Sequence, residues 1–424
     1  MIDIRLVRTK PENVREGLRR RHEDPQIVDT ILALDEERRM QLNEVEQLKA
    51  KRNIVSKEIS QMSDQELRMR KIEEMRLVGE QIESLDNGLR ENEIKLESII
   101  STIPNIPLSE VPDGKDESEN RVIKTVGEIP QYSFEPLPHW ELGPRLGIID
   151  FERGVKVSGS RFYVLSGAGA RLQRALISWM LELHSQQGYQ EIYPPFMVRG
   201  ETLFAAGQLP KFAENLYKDH EEDLYMVPTA EVPLTGLHMD DFLEAEKIPL
   251  RYTAYTPCFR REKMSAGRDV RGIKRGHQFD KVEMYIFSKP EQSKQELEKM
   301  VADAEETCKL LGLTYRVVQL CTGDLSFNAQ IAYDIEVWAP GCQEWLEVSS
   351  ISNVGDFQAR RANIKFKDEN GTKDFVHTLN GSGLGLPRTL IAVMETYQQA
   401  DGSIVIPPVL EKWMGGISVI HSDL

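Results

Sequence analysis

Cysteine is scarce in this sequence, and long apolar runs are missing from it. The four cysteines, at positions 258, 308, 321 and 342, are scattered without a C-x-x-C pair. This spacing argues against a structural zinc site and favours reduced thiols, as in a cytoplasmic protein. No apolar run approaches the ~20 residues of a membrane helix, and the first residues lack the apolar segment of a secretory signal. We therefore expect a cytoplasmic protein without membrane contact.

An excess of positive charge is also missing, although nucleic-acid-binding proteins often have one. The chain carries 53 Lys and Arg against 68 Asp and Glu, a formal net charge of −15. Residues 1–110 come closer to balance, with 19 basic and 23 acidic side chains, and basic residues cluster at 19–21 and 49–57. Because phosphate binding needs a local basic patch rather than a basic chain, this composition is still compatible with a nucleic-acid partner.

The region 27–100 predicts two long helices that fold back on each other. Two series of mostly apolar residues step by three and four, which is the a/d pattern of a coiled coil. Between them, Ser63-x-x-Glu66 is a capping box and predicts the start of the second helix. A break at a capped turn favours an antiparallel hairpin, roughly 50 Å long at about 1.5 Å per residue, over a dimerising coiled coil. The first series is Ile27, Ile31, Leu34, Arg38, Gln41, Val45, Leu48, Arg52, Val55, Ile59 and Met62, and the second is Ile72, Met75, Gly79, Ile82, Asp86, Leu89, Glu93, Leu96 and Ile100.

The length of 424 residues exceeds one ordinary core, so two domains are expected. We place them at 1–110 and 111–424, joined by the stretch 103–138, which is rich in Pro, Asp and Glu. From about residue 111 onward, helical and strand-like segments alternate and include a β-hairpin. This mixture predicts an α+β fold with a mainly antiparallel sheet. Residues 225–232 are one of the expected strands.

The most informative segment of the second domain is 256–285, which predicts a strand, a charged loop and a second strand. Arg260 and Glu262 end the first strand, and Phe279 and Glu283 lie on the second. An arginine fork suits a phosphate, and a flexible basic loop can close over more of the anion. An aromatic ring offers a flat face to a base, and a glutamate can hold an ammonium group. The basic residues of the loop are Arg261, Lys263, Arg268, Arg271, Lys274 and Arg275.

Two further segments add oxygen ligands and a second arginine. Residues 345–350 predict an alternating strand that puts Glu347 and Ser349 on one face and Ser350 on the other. A carboxylate with nearby hydroxyls can form a magnesium site of hard oxygen ligands. The glycine-rich stretch 380–387 predicts a turn whose backbone can approach a ligand closely, followed by a helix with Arg388 on its first turn. Its G-x-G-x-G spacing is not a dinucleotide-binding fingerprint.

These segments together resemble the class II aminoacyl-tRNA synthetases, and in particular the seryl-tRNA synthetases of bacterial type. Residues 188–195 resemble motif 1, the dimer-forming helix and strand, and residues 259–279 resemble motif 2. Residues 383–388 resemble motif 3, and the segment Ala-Gly-Gln-Leu-Pro-Lys-Phe at 206–212 is similar to a further family segment. Thr229-Ala230-Glu231 resembles the serine-binding loop of this family. The resemblance extends over essentially the whole chain, including the N-terminal arm.

The resemblance implies a reaction and a set of partners. Serine is activated by ATP to seryl-adenylate and then transferred to the 3′ end of tRNA(Ser), with no covalent enzyme intermediate. The enzyme would act by orienting its substrates and by stabilising the phosphates electrostatically, with Mg²⁺ and without zinc. The arm would bind tRNA(Ser), and motif 1 would form a homodimer. Whether tRNA(Sec) is also a substrate is left open.

The same resemblance implies a role for each site residue. Arg260 would hold the α-phosphate and the serine carboxylate, Arg388 the γ-phosphate, and Glu347 with Ser350 the Mg²⁺ ion. Arg260, Glu347 and Arg388 are thus the expected catalytic residues. Because strand alternation separates Glu347 from Ser350, a local twist or bulge is required between them.

Adenine would be read by Glu262 and stacked on Phe279. The complete expected ATP site is Arg260, Arg261, Glu262, Phe279, Glu347, Val348, Ser349, Ser350 and Arg388. The expected serine site is Thr229, Ala230, Glu231, Glu283 and Ser382.

Three alternatives are less consistent with the sequence. A ligase that loads a carrier protein would lack the long arm. A catalytically inactive relative would have lost Arg260, Glu347 or Arg388, and all three are present. Threonyl and prolyl enzymes carry an anticodon domain after motif 3, and only a short stretch follows Arg388 here.

Overall fold

The computed structural model describes residues 1–263, 271–368 and 371–421. The chain divides into two compact units, one formed by residues 2–104 and the other by residues 105–424 together with Met1. Within the described ranges, none of the helices combines the length and the apolar character needed to cross a bilayer.

The unit of residues 2–104 is helical, and its two long helices are antiparallel. An ion pair joins Arg38 to Glu93 at 3.5 Å, and another joins Glu58 to Lys71 at 2.6 Å, so residue numbers rise along one helix as they fall along the other. At about 1.5 Å per residue each long helix spans roughly 50 Å. The predicted antiparallel hairpin is therefore confirmed. The helices are α1 (Ile4–Thr9), α2 (Pro11–Arg20), α3 (Ile27–Gln61) and α4 (Gln65–Ile100).

The predicted seam is correct on α3 and partly wrong on α4. Every seam position of α3 is at least half-buried, with Ile31 and Val45 fully shielded. On α4, Ile72 is 43% exposed and Glu93 is exposed, whereas Val78 and Asn92 are buried. Apolar residues lie on both sides of the seam in this helix. A spacing of three and four therefore fits more than one helix face, and it does not show which face is buried.

The start of α4 also differs from the predicted capping box. Asp64, rather than Ser63, is the N-cap residue, and its carboxylate accepts a hydrogen bond from the Leu67 N–H at 3.1 Å. A carboxylate at this position satisfies a free backbone donor and interacts favourably with the positive end of the helix dipole. The helix consequently begins one residue later than the sequence predicts.

The unit of residues 105–424 is built on one large sheet. Its strands follow the order β1-β10-β11-β12-β15-β9-β8-β4, and each neighbouring pair is antiparallel except β4 with β8. The predicted α+β fold with a mainly antiparallel sheet is confirmed. The helices are α5 (His139–Arg145), α6 (Phe151–Ser158), α7 (Gly167–Gln186), α8 (Gly200–Ala205), α9 (Glu231–Gly236), α10 (Ser293–Leu310), α11 (Phe357–Ala362), α12 (Leu386–Thr396) and α13 (Pro408–Glu411). The strands are β1 (Arg121–Val126), β2 (Ile149–Asp150), β3 (Val164–Leu165), β4 (Gln190–Glu191), β5 (Met197–Arg199), β6 (Leu224–Met226), β7 (Phe242–Leu243), β8 (Leu250–Phe259), β9 (Gln278–Ser288), β10 (Tyr315–Gln319), β11 (Ile331–Ala339), β12 (Glu344–Gly355), β13 (Lys365–Lys367), β14 (Lys373–Phe375), β15 (His377–Gly385), β16 (Ile404–Val405) and β17 (Val419–Ile420).

Three amphipathic helices bury their apolar sides against the large sheet. Helices α7, α10 and α12 all contact its central strands β9 and β15 or their neighbours, and their apolar side chains belong to one core cluster. Packing of this kind removes apolar area from water, at roughly 25 cal/mol per Å². The polar side chains of β9, β12 and β15 are left for the functional cavity described below.

Two local predictions in this unit are wrong. The expected strand at 225–232 ends at Met226, because Pro228 has no backbone N–H for a hydrogen bond to a neighbouring strand. Glu231 is the first residue of helix α9. The glycine-rich stretch is not a turn: it forms most of strand β15.

Two glycines of β15 make room for neighbouring side chains, whereas Gly385 lines the cavity. A side chain at Gly383 would collide with the ring of the buried His184, and one at Gly381 would lie 2.9 Å from Ile351. Gly383 therefore lets a side chain of α7 pack closely against the strand backbone, and Gly381 leaves space for its cross-strand partner on β12.

Candidate active site

A central cavity of about 490 Å³ lies at the ends of β8 and β9 and over strands β12 and β15. A cavity of this size falls in the range of small-molecule sites, roughly 300–1,000 Å³. Charged side chains of both signs line it. Glu231 and Glu283 form what is called its acidic end, and the cations Arg260, Lys274 and Arg388 form what is called its basic end, although Glu347 is paired with Arg388 there. The loops at 207–216 and 326–328 and the start of α12 complete its wall.

Strand β9 carries three of the lining side chains. Phe279, Lys281 and Glu283 follow one another at a spacing of two, so they point to the same face of the strand and into the cavity. Strand β8 pairs with β9 up to Phe259 and Gln278, which holds the hairpin in register as far as the charged loop. The predicted pair of strands at 256–285 is confirmed, but the first strand ends at Phe259, so Arg260 and Glu262 follow the strand rather than end it.

The acidic end of the cavity is organised around Glu283. Its carboxylate is fully buried, accepts a hydrogen bond from the Thr229 hydroxyl at 2.9 Å and forms an ion pair with Lys281. The Lys281 ammonium also donates to the Thr229 oxygen at 2.7 Å. Ser382 stands directly opposite Glu283 on the neighbouring strand. In the part of the chain that the structure describes, Glu283 Oε1 has no hydrogen-bond partner, so a buried acceptor faces the cavity.

Glu231 is a second carboxylate at this end. Burial, and next the negative charge of Glu283, raise its pKa to about 7. The Gln358 amide donates to Glu231 Oε1 at 2.5 Å and the Asn328 amide donates at 3.3 Å, while the Asn380 amide donates to Oε2 at 3.5 Å. A carboxyl group with a pKa near neutrality can change its charge under physiological conditions.

The opposite end of the cavity is basic. Arg260 donates to the Pro228 carbonyl at 3.1 Å, and its guanidinium lies 5.1 Å from the centre of the Phe279 ring. Arg388, on the first turn of α12 as predicted, donates to the Glu347 carbonyl at 2.7 Å and to its carboxylate at 3.2 Å. Lys274 also lines this end. Several cations around one cavity form a site for an anion.

A β-bulge in β12 brings the oxygen ligands together. Glu347 pairs with Glu336 and Ser349 pairs with Ile335, so Val348 is the extra residue. The bulge reverses the alternation, and Glu347 and Ser350 both line the cavity. Ser349 is instead buried and donates to the Ser382 carbonyl at 2.7 Å. The required bulge is confirmed, and the prediction that Glu347 and Ser349 share a face is wrong.

The oxygens of Glu347 and Ser350 suit a hard divalent cation. Asp334 lies beside them, opposite Ser350 on strand β11. Burial, and next the charge of Glu347, hold the pKa of Asp334 well above its usual range. Among the described residues, Asp334 Oδ1 has no hydrogen-bond partner. An unpaired buried oxygen beside a carboxylate and a hydroxyl makes this corner chemically suited to Mg²⁺.

Glu262 occupies a strained position at the edge of the cavity. Its φ of 50° lies in the left-handed region, which costs a non-glycine residue of order 1 kcal/mol or more. Its side chain is nearly buried, and its carboxylate lies 3.6 Å from the Arg275 guanidinium. Strain of this kind is often found where a side chain is held for function.

Some expected site residues do not reach the cavity. The Arg261 guanidinium lies 4.7 Å from the Tyr217 ring, and its Nε donates to the Leu216 carbonyl at 2.9 Å. Ala230 is buried behind the cavity wall, as is Ser349. Arg268 lies outside the described residues.

The cavity also contains residues that the sequence did not single out. Lys281 could have been found, because it lies midway between Phe279 and Glu283 on a strand whose side chains alternate. Asn380 adjoins the glycine-rich stretch, but Asn328 comes from a distant loop, and no local pattern marks it.

Family models agree with this geometry. The model of the seryl-tRNA synthetase N-terminal domain matches residues 1–107, and that of the tRNA synthetase class II core domain (G, H, P, S and T) matches residues 212–397.

Similar proteins match over their whole length. The serine–tRNA ligase of Roseiflexus sp. (strain RS-1) is 63% identical over 422 residues, covering 99% of this chain and 100% of that relative. The serine–tRNA ligase of Chloroflexus aurantiacus (strain ATCC 29366 / DSM 635 / J-10-fl) is 58% identical over 421 residues, with the same coverage of both chains. Among solved structures, the seryl-tRNA synthetase from Pyrococcus horikoshii complexed with ATP has a TM-score of 0.94 and 38% identity, and 100% of each chain is covered.

Proposed function

Since this chain belongs to the seryl-tRNA synthetase family, we propose that serine and ATP react in its central cavity. The chain catalyses ATP-dependent activation of serine to seryl-adenylate and transfer of serine to the 3′ end of tRNA(Ser).

The acidic end of the cavity binds the amino acid. The single observation that carries this assignment is the buried, unpaired Oε1 of Glu283 among the described residues, because a buried acceptor without a donor is costly. The serine hydroxyl or ammonium supplies that donor. Glu231 in its ionised form adds a second negative charge for the ammonium, and Ser382 and Thr229 stand beside Glu283.

The basic end binds ATP and the serine carboxylate. Arg260, at the basic end, contacts the serine carboxylate and the α-phosphate, and Arg388 holds the γ-phosphate. Phe279 stacks on the adenine, whose edge is read by Glu262. Glu347 and Ser350 would hold Mg²⁺, which supplies charge neutralisation for the phosphates.

The chemistry follows from charge and position. The serine carboxylate attacks the α-phosphorus and expels pyrophosphate, so two anions must be brought together. Arg260 and Arg388 lower their repulsion, and fixed positions for both substrates remove much of the entropic barrier. No protein nucleophile is needed, and the attack requires no proton transfer from serine.

Selectivity for serine has a separate physical basis. Alanine lacks the hydroxyl and would leave the buried polar groups that bind this hydroxyl unpaired, which can discriminate by roughly 10⁴-fold. Threonine adds a methyl group to a cavity wall that is already closed by Asn380 and Ser382. This reading favours serine over the threonyl and prolyl specificities.

The two parts of the chain have different functions, one in tRNA binding and the other in catalysis. Residues 1–110, with the hairpin at about 27–100, grip tRNA(Ser), and residues 111–424 carry out activation and transfer. Motif 1 at 188–195 forms a homodimer, and the protein acts in the cytoplasm. The family membership supports each of these assignments, and tRNA(Sec) is a second substrate to be tested beside tRNA(Ser).

Amino-acid-dependent exchange of pyrophosphate into ATP tests the assignment of the cavity. Exchange is expected with serine and not with threonine, alanine or proline, and it should require Mg²⁺. Glu283→Gln should raise the KM for serine by about 10- to 100-fold, the cost of losing a hydrogen bond to a charged group, with the KM for ATP unchanged. Absence of exchange with every amino acid would refute the proposal.

A further inference from the structure

The residues that follow the undescribed part of the charged loop are anchored rather than loose. These residues, 271–277, are called the return limb here. Ile273 is fully buried in the core of the unit, and Lys274 forms an ion pair with Glu344. Packing and an ion pair therefore hold this limb in place.

A buried histidine forms the anchor. The Ile273 N–H donates to Nε2 of His139 at 3.2 Å, and His139 Nδ1 lies 2.9 Å from a carboxylate oxygen of Glu395. A backbone N–H can only donate, so Nε2 must carry no proton and the ring proton is on Nδ1, where it is donated to Glu395. Both His139 and Glu395 are fully buried.

Glu395 is itself held by several donors. Its carboxylate accepts hydrogen bonds from the His139 N–H at 2.8 Å, from the Cys342 N–H at 2.9 Å and from the Cys342 thiol at 3.1 Å. These donors, which come from two separate segments, hold the carboxylate in one orientation. It provides a fixed acceptor that sets the orientation of the imidazole.

The ligand atoms of His139, Cys342 and Glu395 lie within 4.8 Å of one another. This arrangement could suggest a metal site. The protonation of His139 argues otherwise, because a metal at Nδ1 would move the ring proton to Nε2, against the N–H of Ile273. The three side chains are fully accounted for as a hydrogen-bonded network.

The network joins two basic groups of the cavity. Glu395 lies on α12 two helical turns after Arg388, and the return limb carries Lys274 and Arg275, which line the cavity. Trp140, next to the histidine, lies 4.5 Å from the Arg271 guanidinium and 5.5 Å from the Lys274 ammonium. The hydrogen bonds of His139 to Ile273 and Glu395 thus link the return limb to α12. They hold Lys274 and Arg275 of the limb in a fixed position relative to Arg388 of the helix.

We propose that His139 is a positioning residue for ATP, because it ties the return limb of the charged loop to the helix that carries Arg388. It acts through Ile273 and Glu395 and touches no substrate. This role rests on the proposed assignment of the cavity to ATP. Gly272 leaves the space that the His139 ring needs for this contact. Its φ of 73° suits glycine, and a side chain there would collide with the ring.

Two substitutions of His139 separate its two hydrogen bonds. In His139→Asn the amide N–H₂ can still donate to Glu395, but nothing accepts from Ile273. In His139→Gln the longer side chain brings its amide oxygen near the position of Nε2. The Asn variant should raise the KM for ATP in pyrophosphate exchange by about tenfold, the loss caused by one orphaned buried donor. The Gln variant should recover most of this loss, and the KM for serine should change less than twofold in both.

A loop variant and a matched histidine variant complete the test. Gly272→Ala should raise the KM for ATP in the same way, because its methyl group would push the His139 ring away from the Ile273 N–H. His377→Asn removes another mostly buried imidazole, bonded to Ser293 at 2.9 Å, and should lower Tm while leaving the KM for ATP unchanged.

Three results would overturn the proposal. They are an unchanged KM for ATP in both His139→Asn and Gly272→Ala, an equal rise in the KM values for ATP and serine, or stoichiometric zinc that disappears in Cys342→Ala. If the unmodified protein shows no serine-dependent exchange, the assignment of the cavity fails instead, so the two failures are distinguishable.

Discussion

Replacing Glu231 by glutamine should stabilise the protein above pH 7 while weakening serine binding. The folded-state pKa of Glu231 is about 7, against 4.5 for an ordinary glutamate. The proton is therefore bound more tightly in the folded state, so the contribution of this group to stability is full below about pH 4.5 and is lost as the pH rises through 7. At high pH the protein carries the cost of a buried charge, which glutamine removes.

The size of the stability effect follows from the difference in pKa. One unit corresponds to about 1.4 kcal/mol, so a difference of roughly 2.5 units amounts to about 3 kcal/mol at pH 8 and only about 1 kcal/mol at pH 5. A glutamine side chain can be accommodated, because among the described residues Asn380 Oδ1 is an unpaired acceptor. A flipped Asn380 amide would accept from the new N–H₂ group, and Gln358 would keep its bond to the remaining oxygen.

Serine binding should change in the opposite direction. With a pKa of about 7, roughly nine-tenths of Glu231 is ionised at pH 8 and about one-tenth at pH 6. The KM for serine should consequently rise about tenfold between pH 8 and pH 6, as the acidic end loses a charge that attracts the ammonium. In Glu231→Gln the KM should be high at both pH values and independent of pH.

Thermal unfolding and pyrophosphate exchange, each measured between pH 5 and 8.5, test both halves of this prediction. Glu221→Gln, at an exposed loop position, is the matched control and should alter neither Tm nor the KM for serine. A glutamine variant that binds serine normally, or one that gains no stability at pH 8, would refute the reasoning from burial.

Two other predictions concern the magnesium corner and the arm. Glu347→Gln removes the charged ligand of the proposed pair while keeping its shape, and it should lower exchange by about 100-fold or more, the effect expected when a charge-stabilising group is lost; activity that persists at ordinary Mg²⁺ would contradict the proposed ligand pair. Changing Arg52 and Lys57 of α3 together to glutamate should lower kcat/KM for tRNA charging by about tenfold or more with a weaker salt dependence, while pyrophosphate exchange stays unchanged; an equal loss in both assays would argue against the arm as the tRNA-binding part.

Regular patterns allowed much of the fold to be predicted. The heptad series located both arm helices, and alternation located the strands of the hairpin at 256–285. A local twist or bulge between Glu347 and Ser350 was predicted because the family resemblance assigns both residues to one ion, whereas alternation alone would separate them. The prediction of which α4 residues are buried was partly wrong. Apolar residues flank the seam of this helix, so periodicity alone could not show which face is buried.

Contacts between distant segments could not be predicted in this way. The environment of Glu231 depends on Asn328, Gln358 and Asn380, which come from three separate elements. The orientation of His139 depends on a glutamate more than 250 residues away. A local pattern carries no information on such pairings, because they are set by the packing of helices on the sheet.

The charge distribution of the cavity provides its own explanation of substrate orientation. Serine is a zwitterion, and the cavity places Glu231 and Glu283 at one end and Arg260 and Arg388 at the other. In the proposed binding mode the ammonium is drawn to the acidic end, which points the carboxylate toward the phosphates that it must attack. Lys281, paired with Glu283, reduces the negative charge at the acidic end. In this binding mode the affinity for the ammonium depends on the ionisation of Glu231, so the pH dependence of serine binding tests how the substrate is oriented.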